Sequence, residues 1–247
     1  SRTWLEGDAH VYNMGAYLNN SGNVAFGFDD YDDSLVADYQ YDIWRFATSM
    51  VLDSWQNKRI KEQELNQALH IFAKTYLKTI SSYERVDLFS ASFNQHNTCK
   101  PLAKFLAKTS KKYSRERMLN KWTEVSEDNV RKFRNIEGKL LTADAETKDK
   151  LRQAFEEYLK TTPKELSAVS DTHNKILDIS ERRGAGTGSV GLKRYYILIA
   201  GNTDHAYDDL ILDVKQQGQP TAFSYLSDEE IREYEYNFEN HAHRHSE

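Results

Sequence analysis

The sequence has a single cysteine, no long hydrophobic run and no excess of basic residues. Because Cys99 has no partner in the chain, an intramolecular disulfide and a cysteine-based zinc finger are excluded, and a reducing, cytoplasmic location is expected. No apolar run approaches the roughly 20 residues that span a bilayer, so a membrane protein is not expected. The formal net charge of −5 disfavours nucleic acid as a partner.

The length limits the number of domains, and the charges are distributed unevenly along the chain. The 247 residues allow one large domain or two small ones, and the 12% aromatic content favours a folded chain over disorder. Because Ser1 is not a methionine and a motif begins at residue 7, we expect a piece of a longer protein. Residues 1–50 carry eight acids and two bases, which calls for counter-charges or a bound cation. Residues 100–134 carry eleven bases and four acids, a stretch that a solvated helix face also explains.

Hydrophobic spacing predicts an α+β chain in two parts, residues 1–172 and 173–247. The first part is predicted to be mostly helical after a hairpin whose second strand is Val24–Phe28, with Trp44 and Trp55 in the core. Its helices are predicted from Asp42 onward and then at about 61–81, 101–112, 114–122 and 145–160. The second part is predicted to hold strands at 175–179, 195–199 and 210–215, followed by a helix over 227–240.

The first part contains a group of residues suited to phosphoryl transfer. This chemistry needs a carboxylate beside the acceptor hydroxyl and oxygen ligands that hold magnesium on the phosphates. Asp8 and Asn13 are five residues apart, the interval between Asp and Asn in the kinase catalytic loop. A carboxylate one hairpin later, at Asp29 or Asp30, is able to reach the same metal. Each feature alone has a simpler explanation, such as a turn, a helix cap or a structural histidine at His10.

The second part contains a G-x-G-x-x-G sequence at 186–191 and a lysine, Lys215, at the end of the next strand but one. A dinucleotide-binding loop opens a helix, whereas here a strand follows. A glycine loop between two strands, then a third strand ending in Val-Lys, is the kinase arrangement over ATP. The nucleotide-binding candidates are Gly186, Gly188, Ser189, Gly191 and Lys215. A glycine-rich hairpin with a surface lysine remains the alternative.

The first group resembles the G-D-x-H-x-x-N loop of aminoglycoside phosphotransferases and related small-molecule kinases. Asp8, His10 and Asn13 match that loop. The metal-binding segment of these kinases has characteristic residues at offsets 0, 3, 8 and 12. Here these offsets correspond to Asp30, Asp33, Asp38 and Asp42. The resemblance implies that Asp8 is the catalytic base, that Asn13 and Asp30 bind magnesium, and that Asp42 braces the loop. It also gives His10 and Asp33 supporting positions.

Over nearly its whole length the chain is more similar to an uncharacterised bacterial family, domain of unknown function 2252. The patterns of that family, G-D-x-H-x-x-N, D-D-F-D and W/Y-D-x-x-R, correspond to residues 7–13, 29–32 and 41–45. Because the glycine loop follows the catalytic loop, the resemblance implies a circularly permuted kinase-like fold with a partial β-rich lobe encoded last. It also implies truncation at both ends.

Two positions depart from the kinase pattern or extend it. The histidine that usually precedes Gly-Asp is Glu6 here. The acidic partner of Lys215 is expected on the helix that follows it, and Glu233 is the candidate by its spacing. The sequence therefore predicts an ATP- and magnesium-dependent phosphotransferase with an unknown acceptor. The alternatives are a catalytically inactive kinase-like protein that binds a nucleotide or a partner, and a structural remnant.

Overall fold

The structure is a computed structural model that describes residues 2–19, 23–58, 60–83, 92–112, 114–127, 130–161, 175–184, 191–201, 203, 205 and 207–246. The described chain is a mixture of helices and short antiparallel sheets, which confirms the α+β class. Its contacts define two compact units, the first formed by Ser1–Ser110 with Gln217–Glu247 and the second by Lys111–Gln216. The predicted boundary at 172/173 lies outside the described residues.

Most of the predicted elements are present, within a few residues of their predicted ends. The helices are α1 (Gln40–Asn57), α2 (Glu62–Tyr83), α3 (Lys100–Lys112), α4 (Arg115–Trp122), α5 (Ala145–Thr161), α6 (Asp228–Asn237) and α7 (His241–Ser246). The strands are β1 (Arg2–Leu5), β2 (Met14–Leu18), β3 (Val24–Phe28), β4 (Leu35–Asp38), β5 (Thr123–Val125), β6 (Arg131–Phe133), β7 (Leu140–Thr142), β8 (Ile176–Arg182), β9 (Arg194–Ile199) and β10 (Leu210–Lys215). The sequence did not predict β1, β4, β5, β6, β7 or α7.

Two strand pairs in the first unit frame the loop that carries the predicted site. β1 pairs antiparallel with β4, which places Leu5 opposite Leu35. β2 and β3 form the predicted hairpin. Leu5, Leu35 and Ala37 are buried together, and Ala222 and Leu226 from the C-terminal segment pack against them. The loop that begins at Glu6 therefore follows a strand whose last residue, Leu5, is held in place by packing.

The core prediction for two tryptophans of α1 is wrong. Trp44 is 58% exposed and Trp55 is 67% exposed. Trp55 lies in the last turn of α1 and lines an open groove between that helix and the start of α2, shared with Ile60 and Leu65. Apolar periodicity identified the helix correctly, but it does not show whether a further element covers each apolar face.

The second unit is built on the antiparallel sheet β10-β9-β8-β7. Successive residues of β9 face opposite sides of the sheet. Tyr196 and Leu198 pack in a cluster with Trp122 of α4, whereas Ile197 and Ile199 pack in a cluster with Phe155 of α5. Because both faces of β9 are covered, its last four residues, Tyr196–Ile199, are all buried and this part of the strand has no polar face.

Candidate functional site

The predicted catalytic loop runs from Glu6 to Asn13 in the first unit and packs closely against the turn before β4. Gly7 has φ +87°, and a Cβ built on it would lie 1.9 Å from the carbonyl oxygen of Asp33. Only glycine avoids both the backbone strain and this collision. The loop ends in a 3-10 helix, Val11–Asn13, which leads directly into β2.

The carboxylate of Asp42, in the first turn of α1, holds the start of this loop. Its Oδ2 accepts a hydrogen bond from the backbone N–H of Glu6 at 2.8 Å, and its Oδ1 accepts one from the N–H of Gly7 at 3.0 Å. Burial raises the pKa of Asp42, whereas these two backbone hydrogen bonds lower it. Since each carboxylate oxygen receives one donor, the two peptide groups before Asp8 have fixed positions.

Two basic side chains contact the carboxylate of Asp8. The Nε of Arg45 donates to Asp8 Oδ1 at 2.8 Å, and the Nε2 of His10 lies 3.3 Å from Asp8 Oδ2. The Nδ1 of the same imidazole accepts a hydrogen bond from the backbone N–H of Tyr12 at 3.1 Å. Because Nδ1 acts as the acceptor, the neutral tautomer carries its proton on Nε2, where it faces Asp8. Arg45 and His10 together fix the orientation of the carboxylate.

The structure brings Asn13 and two aspartates of the hairpin into the same region. Asn13 donates from Nδ2 to the carbonyl oxygen of Asp8 at 3.1 Å and to Glu6 Oε1 at 3.3 Å, which leaves its Oδ1 atom available to a cation. The backbone N–H of Asp29 donates to the Asn13 carbonyl oxygen at 3.2 Å. In the described part of the chain, no hydrogen bond or ion pair involves the exposed side chain of Asp30.

Glu6 is a buried carboxyl group at the centre of this acidic region. Its residue is 7% exposed, and its Oε2 has no hydrogen-bond partner among the described residues. The pKa of Glu6 is raised to about 7, chiefly by burial; the hydrogen bond from Asn13 lowers it, and the charges of Asp42, Asp8 and Asp30 contribute to the rise. The site therefore holds one carboxyl group whose proton is lost near neutral pH.

This raised pKa links the stability of the fold to pH. In the unfolded chain Glu6 has its ordinary pKa of 4.5, whereas in the folded chain the value is about 7, so the folded chain binds the proton more tightly. Stability therefore falls as the pH rises from about 4.5 to about 7, because only the unfolded chain is ionised at Glu6 in that window. Below this window the contribution of Glu6 to stability is fully present.

A magnesium ion at these residues would need ligands from a bound nucleotide, because the described side chains do not form a complete metal site. Among the described residues, no group of three or more His, Cys, Asp or Glu side chains is arranged to hold a metal ion. Magnesium in phosphoryl-transfer sites is commonly held by one or two side chains together with substrate phosphates. Asn13 and Asp30 would supply the two side-chain oxygens, and Glu6, whose Oε1 accepts from Asn13, would add negative charge above about pH 7.

The C-terminal segment of the first unit fixes the acidic turn from its other side. Arg244, 1% exposed, donates to the Ser34 Oγ at 3.1 Å and to the carbonyl oxygen of Asp32 at 2.7 Å. Gln217 donates to the same Asp32 carbonyl oxygen at 2.8 Å, and the side chain of Asp33 accepts from the backbone N–H of Thr221. The turn that presses on Gly7 is thus fixed by residues about 190 to 210 positions later in the chain.

The predicted nucleotide residues lie in the second unit, where the structure describes some of them. Gly186, Gly188 and Ser189 lie outside the described residues. Gly191 has φ +88° and precedes β9, whose neighbours β8 and β10 are both antiparallel to it. Lys215 is the last residue of β10 and is opposite Arg194. Within the first unit, Glu233 pairs with Arg2 at 2.5 Å, and its predicted pairing with Lys215 remains untested.

The sequence was also compared with known proteins. A sequence profile for a family described as an uncharacterized protein conserved in bacteria, DUF2252, matches residues 1–245. The chain belongs to the DUF2252 family. No curated protein and no solved structure matches it. In the described residues of this DUF2252 chain, no helix is both long and apolar enough to cross a membrane.

Sequence reasoning assigned no role to two residues that fix this region of the DUF2252 chain. Arg45 lies one helical turn after Asp42, and this spacing places both side chains on the loop-facing side of α1. That spacing was a usable signal. Arg244 offered none, because its partners Asp32 and Ser34 are more than 200 residues away and no local pattern connects them.

Proposed function

We propose that this DUF2252 chain is an ATP- and magnesium-dependent phosphotransferase of the kinase-like superfamily, acting on a hydroxyl-bearing acceptor. The observation that supports it most is the pair of hydrogen bonds from Glu6 and Gly7 to Asp42, immediately before Asp8. These bonds fix the two peptide groups that precede Asp8, and the proposed magnesium ligand Asn13 donates to the Asp8 carbonyl oxygen at 3.1 Å. Positioning of this kind is the main protein contribution to phosphoryl transfer.

In the proposed reaction Asp8 orients the acceptor hydroxyl and takes its proton. The acceptor oxygen forms a bond to the γ-phosphorus while the bond between that phosphorus and the β,γ-bridging oxygen breaks, and ADP leaves. Arg45 and His10 hold the Asp8 carboxylate in place during this step. Magnesium, held by Asn13 and Asp30, would neutralise charge on the phosphates when it is bound.

The proposal assigns phosphate binding to the glycine segment and the lysine of the second unit. Support comes from the strand order, since β8, β9 and β10 are antiparallel neighbours and the glycine segment joins the first two. Backbone N–H groups of a glycine-rich turn bind phosphate oxygens well because no side chain blocks their approach. The roles of Gly186, Gly188, Ser189, Gly191 and Lys215 rest on this arrangement and on the sequence pattern.

A specific contact favours the second candidate, a catalytically inactive kinase-like protein that binds nucleotide. Both carboxylate oxygens of Asp8 already contact a basic side chain, Arg45 on one side and His10 on the other. In addition, Glu6 replaces the histidine that usually precedes Gly-Asp in kinases. A carboxylate engaged in this way binds an acceptor hydroxyl less well, so nucleotide binding without turnover is the outcome this candidate predicts.

Magnesium-dependent ADP formation, with water or a panel of small alcohols as acceptors, tests the proposal. We expect Asp8→Asn to lower the rate by at least about 100-fold, because general-base catalysis contributes about that much, while ATP still binds. Asp228→Asn removes an exposed carboxylate elsewhere in the first unit and should leave the rate unchanged. Equal rates for Asp8→Asn and the unmodified chain would refute the assignment of the base. Binding of ATP without any ADP formation would support the inactive candidate.

A further inference from the structure

The first unit contains a cavity that none of the proposed catalytic or magnesium-binding side chains lines. Its volume is about 310 Å³, and it lies between β1, the β2–β3 hairpin, α1 and α2. Six of its lining residues are aromatic: Trp4, Phe28, Tyr39, Phe46, Phe72 and Tyr76. Small-molecule pockets begin at about 300 Å³, so the space suits a compact ligand of a few carbon atoms around one polar group.

Four of the aromatic residues, Phe28, Phe46, Phe72 and Tyr76, form a continuous wall. The ring centroids of Phe46 and Phe72 are 5.1 Å apart, those of Phe28 and Phe46 are 6.4 Å apart, and those of Phe72 and Tyr76 are 6.5 Å apart. The face of an aromatic ring carries partial negative charge and attracts a cation within about 6 Å of its centre. A wall of several rings therefore favours a positively charged ligand over a neutral one of equal size.

A carboxylate supplies the second reason to expect a cation. Asp42 also lines the cavity, and in the described part of the chain no cationic side chain lies within 4 Å of its oxygens. Its charge is held by two backbone N–H groups, which are dipoles and not counter-ions. Tyr39 and Tyr76 line the cavity together with Asp42. The pKa of Tyr76 is raised, first by burial and then by the charges of Tyr39 and Asp42. One end of the cavity is therefore polar and negative.

We propose that this cavity binds a small organic cation, an alkylated ammonium group, with its charge against the aromatic rings and near Asp42. The cation supplies the counter-charge that Asp42 lacks within the described residues. Its methyl or methylene groups fill apolar space that water occupies poorly. The proposal does not depend on phosphoryl transfer, because Asp8, Asn13 and Asp30 are not among the lining residues.

Paired probes of similar size separate a cation site from an apolar void. Tetramethylammonium chloride is titrated into the intact chain at constant ionic strength, with sodium chloride replacing it in the reference, and binding is followed by ligand-observed NMR. The neutral comparator is tert-butanol. We expect tetramethylammonium to bind at least tenfold more tightly than tert-butanol. Sodium ions should show no such preference over tert-butanol.

A matched pair of variants locates the binding. Phe72→Leu keeps an apolar side chain in the wall but removes one ring face, so it should weaken tetramethylammonium binding about tenfold and change tert-butanol binding less than about twofold. Trp55→Leu removes an aromatic ring outside the cavity and should change neither. Circular dichroism checks the fold of each variant, and Phe28→Leu replaces Phe72→Leu if the latter unfolds.

Two results would overturn the proposal. Equal affinities for the charged and the neutral probe, or an equal loss of both in Phe72→Leu, would mean that the cavity is an apolar void without preference for charge. No detectable binding of tetramethylammonium would mean that it is not a site for this ligand class. Neither result bears on ATP binding or ADP formation, so the phosphotransferase proposal is judged separately.

Discussion

Replacing Asp42 with alanine should release the start of the proposed catalytic loop while leaving the rest of the first unit folded. The substitution removes both acceptors, at 2.8 and 3.0 Å, from the backbone N–H groups of Glu6 and Gly7. A hydrogen bond to a charged group contributes about 1.5–3 kcal/mol, and burial of the charge offsets part of that. We therefore expect a local loss of about 3 kcal/mol, which corresponds to a roughly 100-fold faster amide exchange at these two positions.

Amide hydrogen exchange measured by NMR provides the assay, with Glu62→Ala as the matched control. Glu62 is an exposed acidic residue in the first turn of α2, as Asp42 is an acidic residue in the first turn of α1. Both substitutions remove a favourable interaction with the helix dipole, worth about 0.3–1 kcal/mol, so their difference isolates the loop contacts. If the amides of Glu6 and Gly7 exchange no faster in Asp42→Ala than in Glu62→Ala, the proposed bracing of the loop is wrong.

Three further substitutions test the surroundings of the site. Glu6→Gln should remove the loss of stability between about pH 4.5 and 7, so that urea unfolding at pH 8 shows a gain of about 3 kcal/mol that disappears below about pH 4.5; parallel pH profiles would contradict the raised pKa. Gly7→Ala should destabilise far more than Gly138→Ala, since both have positive φ but only at Gly7 would the new Cβ lie 1.9 Å from a carbonyl oxygen, and similar melting temperatures would refute this. Arg244→Met should cost about 3 kcal/mol in urea unfolding because it removes the donor to the carbonyl and hydroxyl oxygens of buried Ser34, whereas Arg232→Met, at an exposed position of α6, should cost less than about 0.5 kcal/mol.

The sequence predicted long elements well because their periodicity extends over many residues. Helices such as α2 and α5 repeat an apolar spacing over four or more turns, and β9 and β10 are six apolar-rich residues each. β1 and β4 have only four residues each, too few for a clear alternation, and their pairing joins segments about 30 residues apart. Their stability as a pair comes from tertiary packing of Leu5 and Leu35, which local patterns do not contain.

The site shows the same division between local and distant information. Asp8, Asn13 and Asp42 belong to short motifs, and the structure brings them to one loop cluster. The unusual environment of Glu6 was not predictable, because its raised pKa depends first on burial and then on nearby acids, and both arise only in the folded chain. The buried role of Arg244 depends on the same long-range folding. Residue type and spacing thus indicate which residues are candidates for the chemistry. The pKa shifts and the long-range hydrogen bonds around them can be known only from the folded structure.

Calorimetric titration of magnesium-ATP into this chain tests the central proposal most directly. The comparison uses Asp30→Asn, which removes a proposed magnesium ligand, and Asp228→Asn, which removes an exposed carboxylate in the first turn of α6. The account predicts binding by the unmodified chain and by Asp228→Asn, with affinity at least about tenfold weaker in Asp30→Asn, because a lost charged ligand costs at least about 1.4 kcal/mol. Equal affinities in all three proteins, or no binding by the unmodified chain, would contradict it.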